Sequence, residues 1–98
     1  MDINKMMKQA QQMQDKITKA QQELESSEFS KNVQGIEVKA YGNKKIISLT
    51  IDRDLMDDAE MLQDMLVVAI NEVFNDIDEE TAKIMQGATG NLSIPGLF

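Results

Sequence analysis

The chain contains no cysteine and no histidine. Without cysteine there is neither a disulfide framework nor a thiolate zinc site. Without histidine, the commonest general base and metal ligand is missing. Ser48 and Thr50 therefore have no imidazole to activate them, and no pattern brackets a pocket with two carboxylates. The expectation is a protein that is not an enzyme and needs no metal or other cofactor. Tryptophan is absent, and the aromatic residues are Phe29, Tyr41, Phe74 and Phe98. That excludes a stacking platform for single-stranded nucleic acid. Eight methionines supply flexible apolar volume in place of aromatic bulk. No apolar run reaches the length of a membrane span. The opening Met-Asp-Ile-Asn-Lys-Met lacks the apolar core of a signal peptide. A single cytoplasmic domain over residues 1–98, with no membrane partner, is expected.

Positive charge is scarce in one half of the chain. Residues 1–53 hold eight lysines and Arg53 against seven acids, a balance of +2. Residues 54–98 hold Lys83 against ten acids, a balance of −9, and the two sum to the net −7. This asymmetry points to a basic working surface on an acidic body.

Residues 28–52 read as strands. Ile36, Val38 and Ala40 alternate with Glu37, Lys39 and Tyr41. Ile47, Leu49 and Ile51 alternate with Ile46, Ser48, Thr50 and Asp52. Period-two alternation puts one apolar row on each strand. Between them, Tyr41-Gly42-Asn43-Lys44 offers residues that tolerate the positive φ of a hairpin turn. Phe29 to Val33 alternates as well, with Gln34-Gly35 as its turn. A three-stranded antiparallel meander results.

A helix is expected before it, from about Ile3 to Glu25, with Asp2 as N-cap. Ile3, Met6, Ala10, Met13, Ile17, Ala20 and Leu24 follow a 3-4 spacing, the a/d pattern of a helix–helix seam. Such a helix is about 35 Å long at ~1.5 Å per residue. A compact domain of this size has a radius of gyration of only about 13 Å. The helix therefore overhangs its own subunit, and the seam is a candidate dimer contact. The overhang favours a partner chain on the seam; the chain's own second helix, or packing of the stripe on its own sheet, is the alternative. Lys5, Lys8, Lys16 and Lys19 stand off the seam, and Asp15 is the one acid within residues 3–22.

A second helix is expected over about 58–86, capped by Asp57 or Asp58. Leu62, Met65, Leu66, Ala69, Ile70, Val73, Phe74 and Ile77 give it a broad apolar face for the sheet. Val67 and Val68 break its polar face and suggest a further contact, with a partner chain. Asp76, Asp78, Glu79 and Glu80 lack the spacing of a calcium loop and read as a solvated acidic face. Residues 87–98 read as an extended tail ending Ile94-Pro95-Gly96-Leu97-Phe98.

Several segments together resemble one family. They are Met6-Met7-Lys8-Gln9-Ala10-Gln11-Gln12-Met13-Gln14, Val38-Lys39 before Gly42, Ile51-Asp52, Ala69-Ile70-Asn71-Glu72 and the closing Ile94 to Phe98. The chain resembles the YbaB/EbfC family of bacterial nucleoid-associated proteins over nearly its whole length. The family often carries a run of glycines before its second strand, where this chain has Gly35 alone. The resemblance implies an α+β, α-β-β-β-α subunit and an intertwined homodimer whose protruding helices grip double-stranded DNA. It also implies a role in organising the nucleoid or modulating gene expression. The candidate DNA contacts are Lys5, Lys8, Lys16 and Lys19, with Lys31, Lys39, Lys44 and Lys45 as a second set. Backbone phosphates are the expected target, because no helix-turn-helix is evident for base readout. The alternative is an adaptor for replication or repair proteins, with the acidic second helix facing a basic protein partner.

Overall fold

A computed structural model of the chain describes residues 2–90, with side chains through Gln86. The order is helix α1 (Ile3–Glu25), strands β1 (Glu28–Val33), β2 (Ile36–Tyr41) and β3 (Ile46–Ile51), a single 3-10 turn (Arg53–Leu55) and helix α2 (Ala59–Gly90). The strands form one antiparallel sheet in the order β1-β2-β3. The chain is thus an α-β-β-β-α subunit.

Local chemistry explains each boundary. The Asp2 carboxylate accepts from the backbone N–H groups of Asn4 and Lys5 and caps α1. At the other end the Ser27 hydroxyl donates to the Glu23 carbonyl at 2.7 Å, and Ser26 donates to the same turn. These hydroxyls satisfy carbonyls that have lost their helical partners. Asp58 caps α2 by accepting from the Met61 N–H at 3.1 Å. The expected stop of this helix at Gln86 is corrected: α2 continues to Gly90. Gly87 costs about 1 kcal/mol relative to alanine, which weakens a helix without ending it. The remainder of the expected tail, residues 91–98, lies outside the described residues.

The two hairpins are built differently. Gln34 and Gly35 both have positive φ, and Val33 pairs with Ile36. That is the two-residue turn whose twist matches the flanking strands. In the second hairpin the positive φ falls on Lys44, at 67°. The Asn43 side chain accepts from the Lys45 N–H at 2.9 Å and stabilises the turn. Gly42 is needed there for space instead: a Cβ added to it would overlap the Leu24 carbonyl. Its N–H donates to the Ser27 carbonyl at 3.0 Å. The end of α1 thereby rests directly on the hairpin backbone. Gly42→Ala should force α1 off the sheet and cost about 1–3 kcal/mol, the usual range for overpacking. Thermal melts should show a drop of roughly 4–8 °C per kcal/mol. A parental melting temperature would show that the close approach is not maintained in solution.

The core is one layer thick. Ile36, Val38 and Ala40 of β2 and Ala69, Val73 and Ile77 of α2 are buried. The second trio recurs every four residues and forms one helical row. Phe29, Val33, Leu55, Leu62, Leu66 and Phe74 close its edges. Burying each large apolar side chain contributes about 1.5–3 kcal/mol. α2 lies over β1 and β2 and leaves β3 largely uncovered, with only Ile51 half-buried. Leu49 stands opposite Val38, and Ile51 opposite Ile36, so both share the core face. A bulge between Lys39 and Ala40 puts Ile46, rather than Ile47, opposite Ala40. Yet Ile46 and Leu49 are exposed, Leu49 by 45%. The radius of gyration is 19.3 Å, well above the ~13 Å of a compact domain this long.

Candidate nucleic-acid interface

The excess length comes from an arm of two helices. Gln21 of α1 donates to the Met85 sulfur of α2. Leu24 lines a cleft with Ile77 and Thr81, and Ala20 lines another with Glu80 and Ile84. Falling numbers on α1 meet rising numbers on α2, so the helices run antiparallel. The seam residues divide accordingly. Leu24 is buried, and Met13, Ile17 and Ala20 are half-buried, consistent with the packing of α1 on its own chain's α2. Ile3, Met6 and Ala10, farther out, are exposed.

The lysines of α1 share a different face. At about 100° per residue, Lys5, Lys8, Lys16 and Lys19 fall within an arc of roughly 80°. The centre of that arc lies about 130° around the helix from the centre of the seam. The stripe is about 21 Å long at ~1.5 Å per residue. All four lysines are exposed. Among the described residues, none of them has a carboxylate partner.

The lysines of the sheet present a contrast. Lys31 pairs with Asp76 at 3.5 Å, Lys39 with Glu37 at 3.9 Å and Lys44 with Asp78 at 2.7 Å. Lys44 also lies 5.7 Å from the centre of the Phe74 ring, a favourable cation–π placement. Of this second set, Lys45 alone lacks an ion pair among the described residues. Sequence reasoning could not see this division, because Lys31 and Asp76 meet only through the fold. The acidic run is a solvent-accessible face, and two of its members, Asp76 and Asp78, also reach Lys31 and Lys44 of the sheet. Exposed pairs of this kind contribute little stability, but they do offset the local positive field.

The opposite end of the subunit is acidic. Asp52, Asp54, Asp57, Asp58, Glu60 and Asp64 are all exposed, and none forms an ion pair among the described residues. Asp52 and Asp58 spend one carboxylate oxygen each on turn and cap hydrogen bonds. Among the described residues no helix is long and apolar enough to cross a membrane. Nor is any group of acids there placed to share a metal ion.

The subunit is a one-sheet α-β-β-β-α fold with a projecting, lysine-striped arm. The chain belongs to the YbaB/EbfC DNA-binding family, whose sequence profile matches residues 1–92. It is 47% identical to a nucleoid-associated protein of Clostridium novyi, across 100% of this chain and 90% of that one. It is 42% identical to a nucleoid-associated protein of Alkaliphilus metalliredigens, covering 99% of this chain and 89% of the relative. A crystal structure of an uncharacterized Helicobacter pylori protein superposes with a TM-score of 0.69. That match covers 95% of this chain and 99% of the other at 19% identity, and it speaks for the fold alone.

Proposed function

We propose that the chain is a non-enzymatic, nucleoid-associated protein that binds double-stranded DNA as a homodimer. It works in the cytoplasm on the chromosome and contacts mainly backbone phosphates. The observation that carries this reading is the segregation of cations. Among the described residues the α1 lysines are unpaired and aligned, while Lys31, Lys39 and Lys44 are each answered by a carboxylate. Free ammonium groups on a rigid helix can replace the counterions of a phosphate backbone.

The apolar surface that the subunit leaves open supports the homodimer. On β3 it comprises Ile46 and Leu49, and on α2 Val67 and Val68, which are 59% and 46% exposed. A partner's α2 laid on β3, with the reciprocal contact, covers both at once. The two-fold relation makes such a contact self-complementary. It also duplicates the lysine stripe. The acids from Asp52 to Asp64 lie toward the other end of α2 from the arm, and exposed charges farther apart than a Debye length of ~8 Å at physiological salt are largely screened. Their repulsion of a bound duplex is therefore largely screened, and a chain of net charge −7 can hold DNA locally.

A salt titration tests the reading. Two stripes of four lysines give a log–log slope of up to about 7, at roughly 0.9 per phosphate contact. A random-sequence duplex should bind at 50 mM salt and release steeply as salt rises. Failure to bind any duplex at 50 mM salt would overturn the DNA reading. The second reading would then take its place: an interaction module whose exposed acids, Asp52 to Asp64, face a basic protein partner.

A further inference from the structure

The lysine row of α1 has at its centre a residue that is not a lysine. Lys5 and Lys19 stand seven positions to either side of Gln12, and Lys8 and Lys16 stand four. At ~1.5 Å per residue these offsets are about 10 Å and 6 Å along the helix. Around the helix, at about 100° per residue, Lys5 and Lys16 lie roughly 20° and 40° to one side of Gln12. Lys19 and Lys8 lie at the matching angles on the other side. Gln12 is therefore the midpoint of the row in both length and angle. Its side chain is exposed and makes no hydrogen bond among the described residues. Gln21 is the contrast, half-buried and donating its amide to the Met85 sulfur. Gln9 and Asp15 fall about 60° off the centre line, on opposite sides.

A helix with its side chains is about 10–12 Å across. It fits the major groove of duplex DNA, ~12 Å wide, and is too broad for the minor groove, ~6 Å wide. The groove curves away from a straight helix, so the middle of the helix comes nearest the base edges. On this row the middle is Gln12. The lysines sit toward the walls and the ends, where the phosphates are. The two backbones of a duplex are related by a two-fold axis through each base pair, and the four lysines are disposed about Gln12 in the same way. The seam that packs on α2 is centred about 130° around α1 from the row, so the second helix leaves this side clear.

We propose that α1 lies in the major groove with Gln12 over a base pair, where its amide reads adenine. The Gln12 Nε2 donates to adenine N7, and Oε1 accepts from the adenine N6 amino group, the bidentate contact that this side chain makes best. Lysine can only donate, and contacts to phosphates carry no base identity. Gln12 thus gives the arm a preference for A·T pairs that its lysines cannot supply. The inference rests on the DNA-binding reading above and adds to it the groove and the base.

Fluorescence anisotropy at 50 mM salt tests it with two labelled duplexes. One is an alternating dA-dT duplex. The other carries 7-deazaadenine at every adenine, which replaces N7 by carbon and leaves the phosphates, the pairing edge and the minor-groove edge as they were. The parent should bind the first at least about fivefold more tightly, the low end of the discrimination one bidentate contact supports. Gln12→Ala keeps all four lysines and installs a better helix former. It should bind the two duplexes alike, at about the parent's affinity for the 7-deazaadenine duplex. The ratio is read within each protein, so a general loss of stability does not imitate it. Equal binding of both duplexes by the parent would overturn the inference and leave the DNA-binding reading standing. A preference that survives in Gln12→Ala would assign the contact to another side chain and defeat the inference as well. If the parent bound neither duplex at 50 mM salt, the DNA-binding reading would itself fall, and this inference with it.

Discussion

Changing Lys5, Lys8, Lys16 and Lys19 together to Gln should abolish most DNA binding while leaving a folded dimer. Glutamine is nearly as good a helix former as lysine, and the four positions lie off the α1–α2 contact. No ion pair is lost, because none of these lysines has one among the described residues. Removing eight phosphate contacts from a two-fold assembly should lower affinity at least about 100-fold at 0.1 M salt and flatten the salt dependence. The loss should be similar at every sequence, since phosphates carry no base identity. Lys39→Gln is the comparison. That side chain is already answered by Glu37 at 3.9 Å, so its removal should change binding little. Fluorescence anisotropy with a labelled duplex measures both variants. Parental affinity in the fourfold variant would show the stripe to be ordinary solvated charge.

The second large effect is expected at Leu49. Leu49→Lys should separate the subunits without unfolding them. Leu49 is 45% exposed in the lone subunit, so an ammonium there finds water and costs the monomer little. Between two subunits the same ammonium is desolvated without a partner, a cost of several kcal/mol. Dimer affinity should fall by at least about a hundredfold, since each 1.4 kcal/mol is a factor of ten. Sedimentation equilibrium should then report the mass of one chain where the parent reports two. Thr50→Lys is the control. Thr50 stands opposite Glu37 on the other face of the sheet and should leave the dimer intact. If both variants sediment like the parent, the bare row of β3 is not the contact.

The order of elements was legible because each carries its own period. Isoleucine, valine and alanine alternate along β2, and the row Ala69, Val73, Ile77 recurs every four residues on α2. The Gln34-Gly35 turn was legible for a similar reason, as Gly35 takes a φ of 95° without strain. Less was legible where one residue or one distant contact decides. The bulge beside Ala40 brings Ile46 to the core face, which no alternation rule foretells. Gly42 looked like a turn glycine, and its reason is the backbone of Leu24, eighteen positions away. Nothing in β3 itself reveals that α2 covers only the two strands before it. The α1 stripe could be picked out as a group because helical spacing is local. The ion pairs that tie Lys31 and Lys44 to α2 could not, because those residues are 45 and 34 positions from their partners.

The single-layer core also sets the schedule on which the protein can be made. The meander is local in sequence, and hairpins form in about 1–10 μs. Its apolar face, however, is covered by residues 69–77, which are synthesised well after Ile51. At roughly 5–20 residues per second, Ile77 follows Ile51 by about one to five seconds. During that interval Ile36, Val38 and Ala40 have no helix over them, and the uncharged run Ile46-Ile47-Ser48-Leu49-Thr50-Ile51, which α2 leaves largely uncovered, is exposed beside them. Lys44, Lys45, Asp52, Arg53 and Asp54 bracket the run with charge on both sides. Charges flanking an unavoidable apolar strand restrain pairing between neighbouring nascent chains on one message. The acidic link to α2 thus serves the unfinished protein before the finished one has any use for it.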